Sequence, residues 1–210
     1  MSDFSRVEGV AATLPIANLD TDQIMPKQFL LGTDKSGLAR GVLFDLRVAP
    51  DGHVRETFVL NRPEWRNTKV IVGGANFGCG SSREHAVWGL QQFGIEAVIA
   101  PSYGEIFYYN AANNRLLTVM LTADEVAAIS AEVEHAATSR ICIDVAAQVV
   151  RTASGQSYAF QMDERQRNMY LDGLDVLGAS LKRLPEIEAF ERQHWRAHPW
   201  TRVLPLARVA

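Results

Sequence analysis

From Lys69 onward the chain alternates strand-like runs with stretches that have the pattern of helices. Apolar runs occupy 69–72, 96–100 and 116–120, and a helix start is marked after each of them. The order β-α-β-α-β-α is typical of units that build a mostly parallel sheet. The sequence therefore predicts an α/β fold in which helices flank the sheet and Gly94 ends the first of these helices.

Three helix starts are predicted by capping boxes, in which a hydroxyl side chain and a carboxylate three residues later satisfy each other's backbone N–H groups. The pairs are Ser81 with Glu84, Ser102 with Glu105, and Thr122 with Glu125. On this local pattern alone, Ser81 is a helix N-cap that stabilises the protein by ~1 kcal/mol.

The segments on either side of this alternation carry other patterns. Residues 7–60 indicate short strands and loops, and 32–41 holds three glycines typical of a mobile loop that contacts ligands. Beyond Arg140, two apolar runs predict a hairpin, and 158–160 predicts a further strand. A C-terminal helical tail from about 163 to 210 completes a single domain that covers residues 1–210.

The charge balance and the cysteine count argue against several classes of protein. With 21 basic and 24 acidic residues and a formal charge of -3, the chain has no surplus of positive charge for capturing nucleic acid. No apolar run approaches the ~20 residues that span a bilayer and the first residues lack a signal-peptide core, so we expect a cytoplasmic protein. Cys79 and Cys142 are too few to indicate a disulfide scaffold or to form a cysteine-ligated metal site. His194 and His198 share helical spacing, but the neighbouring Pro199 favours a surface segment over a metal pair.

One short segment concentrates residues that suit a binding site between a strand and a predicted helix. It reads Asn76-Phe77-Gly78-Cys79-Gly80-Ser81-Ser82-Arg83-Glu84-His85. Backbone N–H groups converge at a helix N-terminus and attract anions, and a guanidinium can bind a carboxylate through two parallel hydrogen bonds. A cation in a first helical turn opposes the helix dipole, which favours a functional role for Arg83 over a solvated charge. The segment therefore predicts a site for an anionic substrate.

This segment, together with 20–24 and 100–107, resembles the small subunit of 3-isopropylmalate dehydratase. The resemblance extends to 26–30, 113–117 and 173–175, in family order and at about family spacing, and covers nearly the whole chain. It implies the swivelling β/β/α domain of the aconitase superfamily. It also implies a large subunit that carries a 4Fe-4S cluster, with no cofactor bound by this chain.

The resemblance also implies a reaction and a set of site residues. The enzyme of this family, a hydro-lyase of leucine biosynthesis, interconverts 2-isopropylmalate and 3-isopropylmalate through 2-isopropylmaleate by loss and re-addition of water. By this likeness Ser81 acts as the base, Ser82 and Arg83 hold a substrate carboxylate, and Asp22 orients the catalytic groups. Asp22 could equally well build a turn before Pro26 through its side chain, and the two interpretations are about even.

Substrate choice is expected to depend on Leu30 and Leu31, whose apolar side chains suit an isopropyl group better than a further carboxylate. The chain departs from the usual family pattern at 37–39 and 45–47. A paralogue acting on citraconate or another methylated malate, or a dicarboxylate-binding module without catalysis, therefore stays open. We expect the loop 32–41 to be disordered or displaced without the large subunit, and the isolated chain could self-associate.

Overall fold

The structure is a computed structural model that describes residues 5–30 and 35–202. Two compact units are present, Met1–Asp175 and Val176–Ala210. Leu31 and residues 32–34 of the predicted loop lie outside the described residues. The single domain with a tail from about 163 stays a prediction.

The first unit is built on a seven-stranded sheet with the order β4-β3-β2-β1-β5-β6-β7. The strands are β1 (Arg6–Leu14), β2 (Thr68–Gly73), β3 (Ala97–Ala100), β4 (Leu117–Met120), β5 (Arg140–Asp144), β6 (Val149–Thr152) and β7 (Ser157–Ala159). Neighbours from β1 to β4 pair in parallel, whereas β5, β6 and β7 are added in antiparallel order. The predicted α/β class, the hairpin past Arg140 and the additional strand are confirmed.

Helices connect the parallel strands as the alternation predicts. The first unit contains α1 (Thr21–Ile24), α2 (Phe44–Arg47), α3 (His85–Phe93), α4 (Glu105–Asn113), α5 (Ala123–Val133) and α6 (Glu164–Leu171). The order β2-α3-β3-α4-β4-α5 confirms the prediction, and Gly94 ends α3 in the left-handed conformation at φ 105°. Where short strands and loops were predicted, the described residues of 7–60 form one nine-residue strand, two single-turn helices and several 3-10 turns.

Two of the three predicted capping boxes are wrong. Thr122 and Glu125 form the expected box at the start of α5. However, α3 begins at His85, four residues after Ser81, and α4 begins without a side-chain cap. The reason is that both serine hydroxyls are used elsewhere: that of Ser102 accepts from the Asn76 N–H at 2.8 Å, and that of Ser81 donates to Asp22 at 3.0 Å.

The sheet is covered on both faces. Along β2, Val70 and Val72 point into one apolar cluster and Ile71 into the other, because side chains alternate across a strand. Helix α3 contributes Leu90 to the cluster that contains Ile71, and α5 contributes Ile129 to the cluster that contains Val70 and Val72. This double cover explains why the parallel strands read as continuous apolar runs.

The described part of the glycine-rich loop is structured. Leu38–Gly41 is a 3-10 turn in which Leu38 is buried. The Leu38 N–H donates to Gln92 Oε1 on α3 at 2.9 Å. Residues 35–41 are therefore held against α3. The expectation that the loop is disordered or displaced without the large subunit stays a prediction.

Up to residue 202, the second unit is helical and contains α7 (Val176–Leu181), α8 (Leu184–Ala197) and a 3-10 turn at Pro199–Thr201. Helix α8 lies in the predicted C-terminal tail, and Pro199 follows its end. Four aromatic rings form a ladder along it, with centroids 5.0–5.4 Å apart between successive members: Phe190, His194, His198 and Trp200. Ring packing accounts for the spacing of the two histidines.

Candidate active site

The segment that follows β2 is held between the turn that follows β1 and the turn that follows β3. Gly78 N–H donates to Leu19 O at 2.7 Å on one side, and Phe77 N–H donates to Ser102 O at 3.0 Å on the other. The three strands are parallel, so their carboxyl ends and following turns lie along one edge of the sheet. Ligands of open α/β sheets bind at this edge, which makes it the candidate site.

Glycines allow these segments to approach each other closely. Gly78 has φ +72°, and a Cβ built on it would overlap the ring of Phe107. A Cβ on Gly104 would lie 2.6 Å from Gly78 O. Side chains at these two positions would push the loop away from its neighbours, so the glycines set its position.

Ser81, Asp22 and Arg83 meet at one carboxylate oxygen. The Ser81 hydroxyl donates to Asp22 Oδ1 at 3.0 Å, and Arg83 Nη1 lies 3.1 Å from the same atom. Lys27 Nζ approaches the other oxygen at 3.9 Å. The Asp22 and Arg83 side chains are 35% and 25% exposed, so a dissolved anion can reach them. The structure thus brings together three of the residues predicted from the sequence.

The side chain of Asp22 is oriented by a helix cap that sequence reasoning missed. Asp20 caps the single turn α1, its Oδ1 accepting from the Asp22 N–H at 2.5 Å, and Gln23 Oε1 accepts from the Asp20 N–H at 3.1 Å. The spacing of Asp20 and Gln23 is that of a capping box and was available in the sequence. Asp20 therefore holds the backbone of Asp22, and the Asp22 carboxylate is directed at Ser81.

Thr21 is a second residue that the sequence did not single out. It is buried, and its hydroxyl donates to the Ser81 backbone oxygen at 2.7 Å. Ser81 is therefore fixed through its backbone by Thr21 and through its side chain by Asp22. No local pattern signals this contact, because 60 residues separate the two partners.

The other predicted site residues have less defined surroundings. Ser82 is exposed, and among the described residues its side chain has no hydrogen bond. Leu30 is half-buried and packs against the apolar core at the end of the 3-10 turn Lys27–Phe29. Leu31 lies outside the described residues.

Aromatic side chains pack against Phe77 of the loop that follows β2. The Tyr103 hydroxyl donates to Val98 O at 2.7 Å and is 2.9 Å from Val119 O. Burial raises the pKa of Tyr103 well above its usual value. Its ring stacks on Phe107 at a centroid distance of 6.4 Å. Tyr103 therefore supports the loop, and its hydroxyl is held by two backbone oxygens.

Comparison with known proteins identifies the family. Residues 1–124 match the family described as the aconitase C-terminal domain. Over 200 residues the chain is 56% identical to 3-isopropylmalate dehydratase small subunit 1 of Chromobacterium violaceum, covering 95% of this chain and 94% of that protein. The chain belongs to the 3-isopropylmalate dehydratase small-subunit family. The small subunit of Cereibacter sphaeroides is 42% identical over 200 residues, covering 95% of this chain and 100% of that protein.

A solved structure agrees with this family assignment. The 3-isopropylmalate dehydratase structure from Methanocaldococcus jannaschii superposes with a TM-score of 0.65 at 27% identity, covering 89% of this chain and 99% of that chain. The fold predicted by resemblance is thereby confirmed, and so is the enzyme class, since the dehydratases of this family are hydro-lyases.

The two cysteines of this family member do not share a site. Cys79 lies in the loop after β2, whereas Cys142 is on β5 opposite Glu8, near the start of β1. Arg6 Nε donates to Cys142 Sγ at 2.8 Å. Within residues 5–30 and 35–202, no group of three or more His, Cys, Asp or Glu side chains could hold a metal ion. The donor set of the described residues therefore does not fit an iron–sulfur cluster.

In the same two ranges, no helix combines the length and apolar character needed to cross a bilayer.

Proposed function

We propose that the chain is the small subunit of a 3-isopropylmalate dehydratase that isomerises 2-isopropylmalate and 3-isopropylmalate through 2-isopropylmaleate, as part of leucine biosynthesis. The observation that carries the proposal is the shared contact of the Ser81 hydroxyl and the Arg83 guanidinium with one oxygen of Asp22. It supports a site in which a proton-transfer group and a carboxylate-binding group are held side by side. A cytoplasmic location agrees with such a biosynthetic role.

In this proposal Ser81 moves the proton. Ser81 passes its hydroxyl proton to Asp22 and, as the alkoxide, takes the proton from the carbon beside a substrate carboxylate. The hydroxyl on the neighbouring carbon leaves with the proton that Asp22 received and is released as water, which forms the double bond of the maleate and restores Ser81 and Asp22. Re-addition reverses these steps with the two carbons exchanged. The hydrogen bond to Asp22 orients Ser81 Oγ, and the positive charge of Arg83 stabilises the serine oxygen while it is the alkoxide.

Arg83 and Ser82 hold the substrate carboxylate. The partly exposed guanidinium of Arg83 can exchange its contact with Asp22 for a substrate carboxylate or keep both, since it has five N–H donors. The exposed hydroxyl of Ser82 is available for the same anion. Leu30 and Leu31 are proposed to contact the isopropyl group, as their apolar character suggested.

A partner chain is needed to complete this site. Ser81 and Ser82 are exposed, so a substrate bound there would stay open to water unless another chain covers it. We assign that cover, together with the 4Fe-4S cluster and its Lewis-acid chemistry, to the large subunit. The relatives that carry the name small subunit support a partner of this kind.

Anaerobic reconstitution with the cognate large subunit tests the proposal. The mixture is expected to form 2-isopropylmaleate from either isopropylmalate, detected by its ultraviolet absorbance, while neither chain alone does so. Ser81→Ala and Arg83→Ala should each abolish most of the activity. Matched controls are Ser154→Ala, whose hydroxyl bonds Glu132 at 2.9 Å, and Arg151→Ala, which pairs with Asp144 at 3.7 Å. Equal activity of the site variants and their controls would refute the assignment of Ser81 and Arg83 to the active site.

A further inference from the structure

The start of α3, directly after Arg83, is fixed by an unusual route. Its N-cap residue, Glu84, makes no capping hydrogen bond with its side chain. Instead, Glu84 Oε1 accepts from Asn114 Nδ2 at 2.5 Å. The first turn of the helix is therefore attached to the residue that ends α4.

Asn114 bonds three positions on one face of α3. Besides the contact with Glu84, its Oδ1 accepts from Trp88 Nε1 at 2.9 Å, and its backbone oxygen accepts from Gln91 Nε2 at 2.6 Å. Positions 84, 88 and 91 follow the helical repeat and face the same direction. One residue thus fixes both the rotation of α3 about its axis and its position along that axis.

The chemistry of these partners requires an amide at position 114. An indole N–H only donates and a carboxylate only accepts, so the side chain between Trp88 and Glu84 must do both. The second N–H of Asn114 Nδ2 donates to Asn110 O at 2.9 Å. Every polar atom of this side chain has a partner, which leaves one amide orientation.

We propose that Asn114 is a positioning residue for the active site, which holds the first turn of α3 and through it the Arg83 guanidinium against Asp22. The backbone supports this coupling, because Arg83 O accepts from the Ala86 N–H at 3.2 Å within the first turn that Asn114 fixes. This inference rests on the proposed function of Arg83 as the carboxylate clamp. Asn114 contacts no reacting atom and acts through Glu84 and Arg83.

The test is steady-state kinetics of the reconstituted two-subunit enzyme. Asn114→Leu removes the amide without adding charge and is expected to lower kcat/KM by roughly 10- to 100-fold, since small displacements of a positioning group have effects of that size. The change should fall mainly on KM, because a carboxylate clamp binds substrate and transition state alike. Asn114→Asp should be at least as harmful, as it sets a second carboxylate against Glu84.

A charge swap separates positioning from general destabilisation. In the double variant Asn114→Asp with Glu84→Gln, the glutamine amide can donate to the new carboxylate. KM should therefore return most of the way to the wild-type value. Glu84→Gln added to Asn114→Leu should recover nothing. Thr122→Ala serves as the stability control, because it loses a helix cap on the opposite face of the sheet. If Asn114→Leu does not fold, the swap pair alone carries the test.

The outcomes are distinct. A wild-type KM in Asn114→Leu, no recovery in the swap, or an equal rise of KM in Thr122→Ala would each overturn the positioning role. Arg83→Ala is measured alongside. If it leaves kcat/KM unchanged, the proposed function of the site fails; if it lowers kcat/KM while Asn114→Leu does not, the positioning inference alone fails.

Discussion

Gly78→Ala tests whether close approach to Phe107 sets the position of the active-site loop. Gly78 has φ +72°, and an alanine Cβ there would overlap the Phe107 ring, which is 2% exposed and has little room to move. Left-handed backbone costs an alanine ~1–2 kcal/mol, of which ~0.4–1 kcal/mol is regained through the less flexible unfolded chain. Overlap in a packed core adds ~1–3 kcal/mol. The total loss of unfolding free energy is about 2–4 kcal/mol.

A matched glycine isolates the steric part of this cost. Gly52 also has positive φ, +86°, but an added Cβ would meet nothing within 4 Å. Gly52→Ala should therefore cost only ~0.5–1 kcal/mol. Because 1 kcal/mol shifts the melting temperature of a chain of this size by about 2–4 °C, we expect a drop of roughly 4–16 °C for Gly78→Ala and 1–4 °C for Gly52→Ala.

Calorimetry and urea unfolding of the isolated chain measure both changes. Gly78→Ala should also lose activity in the reconstituted enzyme, whereas Gly52→Ala should keep it. Phe107→Ala provides a double-mutant cycle, in which Gly78→Ala should cost no more than Gly52→Ala once the ring is gone. Equal destabilisation by the two glycine variants in the wild-type background would refute the argument from contact with Phe107.

Two further outcomes follow from charge and burial. Burial, aided by the charge of Glu96, raises the pKa of Tyr170 to about 12. Because this pKa lies above the unfolded value of about 10, the neutral tyrosine stabilises the fold fully below pH 10. The free energy of unfolding should fall by ~2–3 kcal/mol as the pH rises from 10 to 12. Urea unfolding across this range should show a smaller loss for Tyr170→Phe, and parallel curves would contradict the assignment. Asp22→Asn keeps an acceptor for Ser81 but removes the charge that pairs with Arg83. Because this pair is partly exposed, the free energy of unfolding should change by less than ~1 kcal/mol. In the reconstituted enzyme, kcat/KM should fall roughly 10- to 100-fold. Full activity of the reconstituted Asp22→Asn enzyme would remove Asp22 from the site.

The alternation of strands and helices could be predicted from the sequence because each element carries its own periodicity. The capping pattern at Ser81 was misleading for a physical reason: a serine hydroxyl bonds whichever acceptor the tertiary fold brings near, and here that is Asp22, 59 residues away. The pattern at Thr122 succeeded because its partners lie within the same turn.

Some residues of the candidate site could likewise be predicted from the sequence, and others could not. Resemblance to a family indicated Ser81, Arg83 and Asp22, and the structure brings these three together. Thr21 and Asn114 could not be found by pattern, since each makes its decisive contacts with residues 23 to 60 positions away. Contacts of this kind depend on the order of strands in the sheet, which local periodicity does not determine.

The place of β1 in the middle of the sheet has a consequence for how the protein is made. Val10 pairs with Thr68 on one side and with Arg140 on the other. At about 5–20 residues per second, roughly 3–12 s pass during synthesis before the first partner exists and 7–26 s before the second. Throughout that time the apolar strand on which both halves of the sheet will be built has unpaired edges, which favour association between nascent chains. The yield of soluble protein in cells should therefore depend on translation speed and on chaperones that cover β1, quite apart from the stability of the finished fold.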